Sequence, residues 1–418
     1  MGYVPMIRTQ AQRSRRTRGF RNAPRAPLPS HGASILEYGI LLSFVGAASL
    51  AAVTRLGEEI SESIVDESIA LASAMPAPPL DPDAFVLEVH TEKFRIFPSE
   101  GGPIEVSWGS KEADQRCGTS FTAGIPITCE FASRGRYFIS ITGDMTRYGL
   151  ETDENFNEDL IRVIQWGNTG LSSLRQAFRD TTSIQSVPKD LPDSVTILTN
   201  AFRNSTGIND SSISSWDVSN VVEFGGLFAG AQKFNKPLNE WNTSNGIDFK
   251  SMFDGAYAFN QDISNWDMSS AIELSRMFRG AQSFNQDLSS WETGQVQNME
   301  DMFWNNNAFQ GDISTWDTHN VTNMNNMFAW SSFDGDISGW DVSNVLTMDQ
   351  MFHSNSSFSG DLSNWDVSSL TSADYMFNGA ESFSSDLSGW CVLGISSQPT
   401  NFMTGSAVAG EPVWGTCP

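Results

Sequence analysis

Apolar side chains return along this chain at a fixed interval. From about Ser214 to Trp390, tryptophan occupies Trp216, Trp241, Trp266, Trp291, Trp316, Trp340, Trp365 and Trp390. One phenylalanine column runs Phe234, Phe259, Phe284, Phe309, Phe333, Phe358, Phe383, and a second runs Phe228, Phe253, Phe278, Phe303, Phe328, Phe352, Phe377. The interval is 25 residues with a single step of 24. A unit that short cannot bury its own apolar face, so the period predicts a stacked array. The odd step locates a loop. Phe303 and Phe309 stand six apart, Phe328 and Phe333 only five, and a deletion inside a helix or strand would rotate or flip every later side chain. Each turn therefore divides in two. The half carrying Asp-Ile/Leu-Ser-x-Trp reads as a brief strand or extended ribbon; the half carrying Val321, Met324, Met327 and Phe328 has helical spacing. The prediction is an α/β solenoid with ~25-residue turns, strands on one wall and short helices on the other. Its repeat core is Trp266, Trp291, Trp316, Trp340 and Trp365 with Phe253, Phe278, Phe303, Phe328 and Phe352.

Different patterns flank the repeat. Residues 1–32 are basic, contain proline and lack apolar periodicity, which marks an unfolded leader. Ala33 to Thr54 carries one charge, Glu37, and as a helix spans ~33 Å, enough for a bilayer. The helix continues to residue 74 with Leu56, Ile60, Ile64 and Ile69 along a polar body, and residues 75–83 form a proline-rich linker. In residues 84–147, runs such as Phe85–Val89, Phe94–Phe97, Ile104–Trp108 and Tyr137–Thr142 alternate between Gly, Pro and Ser clusters, predicting a small β-sandwich. Residues 148–213 hold degenerate turns and an N-terminal cap, 214–390 the regular repeat, and 391–418 the opposite cap.

The repeat, Asp-Ile-Ser-x-Trp-Asp-Val-Ser-Asn-Val followed by Met-x-x-Met-Phe, resembles the BspA-type leucine-rich-repeat surface proteins over roughly Gly149 to Trp390. The resemblance implies a cell-surface protein that binds partners rather than an enzyme. A lipobox cysteine is absent, the first cysteine being Cys117, so anchoring must come from elsewhere. The segment from Gly32 to Gly46 resembles the start of Flp-type (Tad system) type IVb pilins. That likeness implies prepilin cleavage after Gly32, a new terminus at Ala33, and Glu37 and Tyr38 as the assembly pair. The implied partners are a prepilin peptidase, the subunits of a pilus or secretion apparatus, and the membrane through the N-terminal helix. The alternatives are an ordinary signal anchor and a secretory signal peptide cut after Ala74, the latter disfavoured because its apolar core would lie too far upstream of the cut. Val106-Ser107-Trp108-Gly109 and Gly135–Ile141 are similar to PKD-like surface modules, although Ser110-Lys111 stands where those modules carry an acidic turn.

Charge narrows the partners. The chain carries −24, and residues 1–32 hold seven arginines and no acid, so the body is more acidic still. That disfavours nucleic acid and anionic membrane surfaces. The four cysteines fall into two local pairs, Cys117 with Cys129 and Cys391 with Cys417, which are either disulfides of an exported chain or free buried thiols. His31, His90, His319 and His353 stand in no metal or triad spacing, and no catalytic motif is present, so no enzyme is expected. Two acidic columns remain, Asp262, Asp287, Asp312, Asp336, Asp361, Asp386 and Asp217, Asp267, Asp317, Asp341, Asp366. Each carboxylate either accepts backbone N–H bonds in an Asx turn or joins a calcium ladder at Asp287, Asp312 and Asp336; no other cofactor is expected. The Trp column, likewise, fills the core or forms an exposed face that stacks on glycans.

The expected function is a pilin-like subunit that displays a repeat solenoid for an extracellular protein or glycan ligand. It would pass from the inner membrane to the cell surface or an extracellular filament. The competing expectation is a membrane-anchored structural protein of the envelope that enters no filament.

Overall fold

The computed structural model describes residues 80–149 and 159–418. Gly32, Ala33, Glu37 and Tyr38, with the whole pilin-like helix and its leader, lie outside the described residues. Among those described, no helix is long and apolar enough to cross a membrane.

The first element group is a sheet. Strand β1 (Phe85–Ile96) lies between two other strands, and its consecutive Phe85, Val86 and Leu87 are all buried, so both of its faces are covered there. It is followed by β2 (Pro98–Ser107), helix α1 (Lys111–Cys117), β3 (Ser120–Thr122), β4 (Ile127–Tyr148) and β5 (Leu160–Gln165). The order is β3-β2-β4-β1-β5, with every pairing antiparallel. This corrects the predicted sandwich. The 22 residues of β4 pair first with β1, from Ile127 to Ile141, and then with β2, from Ser140 to Tyr148. One strand long enough to serve both partners keeps all five in a single sheet. α1 is N-capped by the Ser110 hydroxyl, which accepts from the Ala113 N–H, and Ala113 is buried in the core. The Cys117–Cys129 disulfide ties the end of α1 to β4.

The sheet leads into the repeat without a break. Arg147 at the end of β4 forms a parallel bridge with Ser173, and single bridges continue through Ile197, Glu223, Asp248, Glu273, Asn298, Asn323, Thr347 and Ser372. The aromatic core is equally continuous: the Tyr148 ring lies 6.1 Å from Phe178, Phe178 is 5.4 Å from Phe202, and Phe202 is 5.9 Å from Phe228. The sheet thereby covers the first turn, whose apolar face would otherwise meet water.

The repeat itself is not an α/β solenoid. The seven-residue α1 is the one α-helix among the described residues, and every named strand belongs to the antiparallel sheet. Hydrogen bonding gives the physical reason. Between Leu274 and Ala281, the N–H groups of Leu274, Arg276, Phe278 and Gly280 donate to carbonyls one turn ahead, at Asn298, Glu300, Met302 and Trp304. Met277, Arg279 and Ala281 instead close tight turns by donating three residues back, to Leu274, Arg276 and Phe278. A backbone that sends alternate N–H groups sideways cannot also make the helical bond to the fourth residue back. Arg276 and Gly280 have φ of +61° and +63°, outside the helical region. Each turn repeats these two left-handed positions, the second being Gly230, Gly255, Gly280, Asn305, Trp330, Ser354 and Gly379. The half expected to form a strand is built of turns and loops, with a bridge from Asp386 to Gly410 at the last turn. The ladder from Arg147 to Ser372, one parallel bridge per turn, lies in the tight-turn half.

The shortened step lies between Trp330 and Phe333, in a segment without helix or strand. The columns stay in register across it: Phe333 is 5.8 Å from Phe309 and 6.4 Å from Phe358. A further ladder follows the first phenylalanine column, in which the N–H of Asn260 bonds the Asn235 side chain and that of Asn285 bonds Asn260. At the far end Val392 donates to Thr416, 2.9 Å, beside the Cys391–Cys417 disulfide, and Phe402 sets its ring edge against Phe377.

Candidate functional site

The residues singled out in the sequence fall mostly inside. Trp266, Trp291, Trp316, Trp340 and Trp365 are 2–4% exposed, and Phe253, Phe278, Phe303, Phe328 and Phe352 are fully buried. Each of those indoles donates its Nε1–H to a carbonyl of the preceding turn; Trp266 reaches Leu238 at 2.9 Å and Trp291 reaches Ile263 at 3.0 Å. Neighbouring indoles stack nearly parallel, as in the Trp291–Trp316 pair with centroids 6.0 Å apart. A buried, hydrogen-bonded ring has no face left for a ligand.

The aspartates close local turns. Asp262, Asp287, Asp312, Asp336, Asp361 and Asp386 accept the N–H of the serine two residues on, at 2.9–3.0 Å. Asp217, Asp267, Asp341 and Asp366 do the same, and Asp317 accepts from His319. Backbone N–H bonds first, then serine hydroxyls, hold the carboxyls of Asp262, Asp312, Asp361 and Asp386 below the usual range. For Asp217, Asp267, Asp336 and Asp341 the hydroxyl bond leads, and for Asp317 the His319 side chain. Among the described residues no three His, Cys, Asp or Glu side chains are grouped to hold a metal. Both cysteine pairs are disulfides.

A different acidic column stands on the bridge ladder, where Glu223, Asp248 and Glu273 occupy successive turns. Burial first, and the charges of Glu273 and Glu223 after it, push the Asp248 carboxyl up. Arg175 pairs with Glu223, which leaves the strain of like charges greatest at the middle of the run.

Sequence reasoning missed the outer wall of the tight-turn half. One column there reads Arg279, Trp304, Ala329, His353, Asn378, and the next reads Gly280, Asn305, Trp330, Ser354, Gly379. The Arg279 guanidinium lies over the Trp304 ring at 4.8 Å. Trp330 is 51% exposed, its ring lies 5.4 Å from His353 edge to face, and His353 lies 6.2 Å from Tyr375. Trp330 also has φ of +56°, at a position its neighbours fill with glycine, asparagine or serine. A bulky residue held there costs of order 1–3 kcal/mol. The signal was present in the sequence: Trp304 and Trp330 are out of step with the tryptophan column.

Comparison with known proteins bears on the repeat. A family model described as "Mycoplasma protein of unknown function, DUF285" matches residues 196–316 and 305–411, together just over half of the chain. The chain is a DUF285 protein. Both matched segments lie in the stacked turns, so membership rests on the repeat; the sheet and the pilin-like segment are unmatched, and the Flp-type pilin assignment has no support from this match. No curated protein and no solved structure matches the DUF285 chain.

Proposed function

We propose that this DUF285 protein is a BspA-like surface protein that recognises an extracellular protein or glycan through the outer wall of its stacked turns. The observation that carries this reading is the contrast between inside and outside. The phenylalanine columns keep one side chain through successive turns, whereas the wall column runs Arg279, Trp304, Ala329, His353, Asn378, all partly exposed except the buried Ala329. The backbone of the turns bonds to itself and to the neighbouring turns, so the outward side chains are released from scaffolding and can differ. A rigid frame with a variable face is suited to non-covalent recognition. Two disulfides support an oxidising compartment outside the cytoplasm. The acidic charge supports solubility there and disfavours anionic partners.

The test is a membrane-impermeant amine reagent on intact native cells, read at Lys233, an exposed residue of the turns. The expected result is Lys233 labelled before lysis. Labelling that begins only after lysis would overturn the surface reading. Surface labelling without affinity for any extracellular protein or glycan would favour a structural envelope protein instead.

A further inference from the structure

Three departures from the repeat coincide in one turn. The connection after Trp330 is one residue shorter than its counterparts, since Phe333 follows Phe328 by five positions. Trp330 takes a left-handed conformation that the neighbouring turns give to Gly280, Asn305, Ser354 and Gly379. Its indole is the most exposed aromatic ring in the described stack, at 51%. The surroundings hold that arrangement in place. Buried Asn355 donates to the Phe333 carbonyl at 2.9 Å and to Ser331 Oγ at 3.3 Å, and Ser331 Oγ bonds the Phe328 carbonyl at 2.8 Å. The left-handed position belongs to the scaffold of every turn, but the large exposed ring placed on it does not, and that departure points to a function.

From this arrangement we infer that Trp330, His353 and Tyr375, whose rings contact one another across successive turns, form a stacking track for an uncharged oligosaccharide. The inference rests on the surface-recognition reading above and names the ligand class. An exposed indole face offers apolar area with a polar rim, which matches a sugar ring whose C–H face is apolar and whose edge carries hydroxyls. Hydrogen-bonding groups of the right kind stand on the same wall: Asn326, Gln350 and Ser354, all partly exposed. Asp349 accepts from the Ser372 hydroxyl and the Asp374 N–H through one oxygen, and its carboxylate keeps further lone pairs for hydroxyl donors. Charge selects against acidic glycans. The chain carries −24, and Arg276, a cation of this wall, is engaged by Asp301 and Glu300.

The test compares the purified full chain with Trp330→Gly. Both are offered immobilised uncharged hexasaccharides of glucose, N-acetylglucosamine and mannose, sialylated and sulfated oligosaccharides, and deglycosylated collagen. The expected result is saturable binding to an uncharged hexasaccharide, weakened about tenfold or more in Trp330→Gly. The melting midpoint of that variant should hold or rise, because glycine takes this φ without strain. A purely structural tryptophan would instead lower the midpoint. Binding that ignores the substitution, preference for the sialylated or sulfated probes, or no binding to any hexasaccharide would overturn the inference. Trp330-dependent binding to deglycosylated collagen alone would overturn the sugar assignment and leave surface recognition standing. Failure with every probe, together with Lys233 unlabelled on intact cells, would remove both.

Discussion

At the residue scale, one aromatic does different work according to which side of the backbone it faces. Trp291 is 2% exposed, stacks on Trp316 and spends its single donor on the Ile263 carbonyl. Trp330, half exposed, spends none on the core. The two substitutions should therefore diverge. Trp291→Ala removes a filled ring volume and leaves a carbonyl without its donor, so a loss of about 3–5 kcal/mol is expected in denaturant unfolding of the full chain. A loss under about 1 kcal/mol would mean that the indole contributes little to packing. The aspartates make the same point about context. Asp262 and its counterparts read in the sequence first as turn residues, with a calcium ladder at Asp287, Asp312 and Asp336 as the rival reading. In the structure each carboxylate accepts, through one oxygen, the N–H of the serine two residues on and so closes the turn it starts.

At the element scale, spacing was legible and backbone conformation was not. The 25-residue interval reappears as the interval between bridges and between stacked rings. Apolar residues at Leu274, Met277, Phe278 and Ala281 look helical because any chain reversing every three residues presents them to one side. The discriminating signal was polar. A glycine or asparagine recurs two residues after the second phenylalanine column, at Gly255, Gly280, Asn305 and Gly379, where a helix gains nothing from either and a left-handed turn favours both. The β runs at Phe85–Val89, Ile104–Trp108 and Tyr137–Thr142 all touch strands, yet no local pattern could tell one sheet from two, because that depends on which partners β4 meets. At the wall site only the out-of-step tryptophan was legible: Trp330, His353 and Tyr375 belong to three successive turns and occupy three different positions of the repeat. The C-terminal cap yields a prediction at this scale. Cys391 and Cys417 close a loop with a sequence separation of 26, and losing that closure costs about 3 kcal/mol of unfolded-state restriction. Cys391→Ser should lower stability by about that amount and speed hydrogen exchange at the Val392 amide, which bonds Thr416. An unchanged exchange rate there would mean that the cap holds without the disulfide.

At the scale of the whole molecule, the carboxylates set a pH optimum through two opposing groups. Asp217, Asp262, Asp267, Asp312, Asp317, Asp336, Asp341, Asp361 and Asp386 are held below their ordinary range by bonds that exist only in the folded chain. Their contribution is present above the unfolded value of ~3.9 and is lost as pH falls through the lower folded values. Asp248 and Asp254 act the other way. Burial raises both, so the folded state binds their protons more tightly than the unfolded state does. Stability from these two rises as pH falls from neutral through their folded values, and falls again as pH climbs. Relief of the −24 net charge adds to that upper limb. Melting of the full chain should accordingly peak in mildly acidic solution, near pH 5, and drop steeply below about pH 4. Asp248→Asn separates the two limbs. The amide oxygen can still accept the Lys250 N–H that Asp248 accepts at 2.9 Å, but the charge between Glu223 and Glu273 is gone. The variant should melt higher than the parent at pH 7.5, and that gain should shrink as pH falls and the parent's raised carboxyl takes up its proton. A midpoint that climbs steadily to pH 8, or an Asp248→Asn gain that stays the same size as pH falls, would show that the bridge-ladder carboxylates do not govern the upper limb.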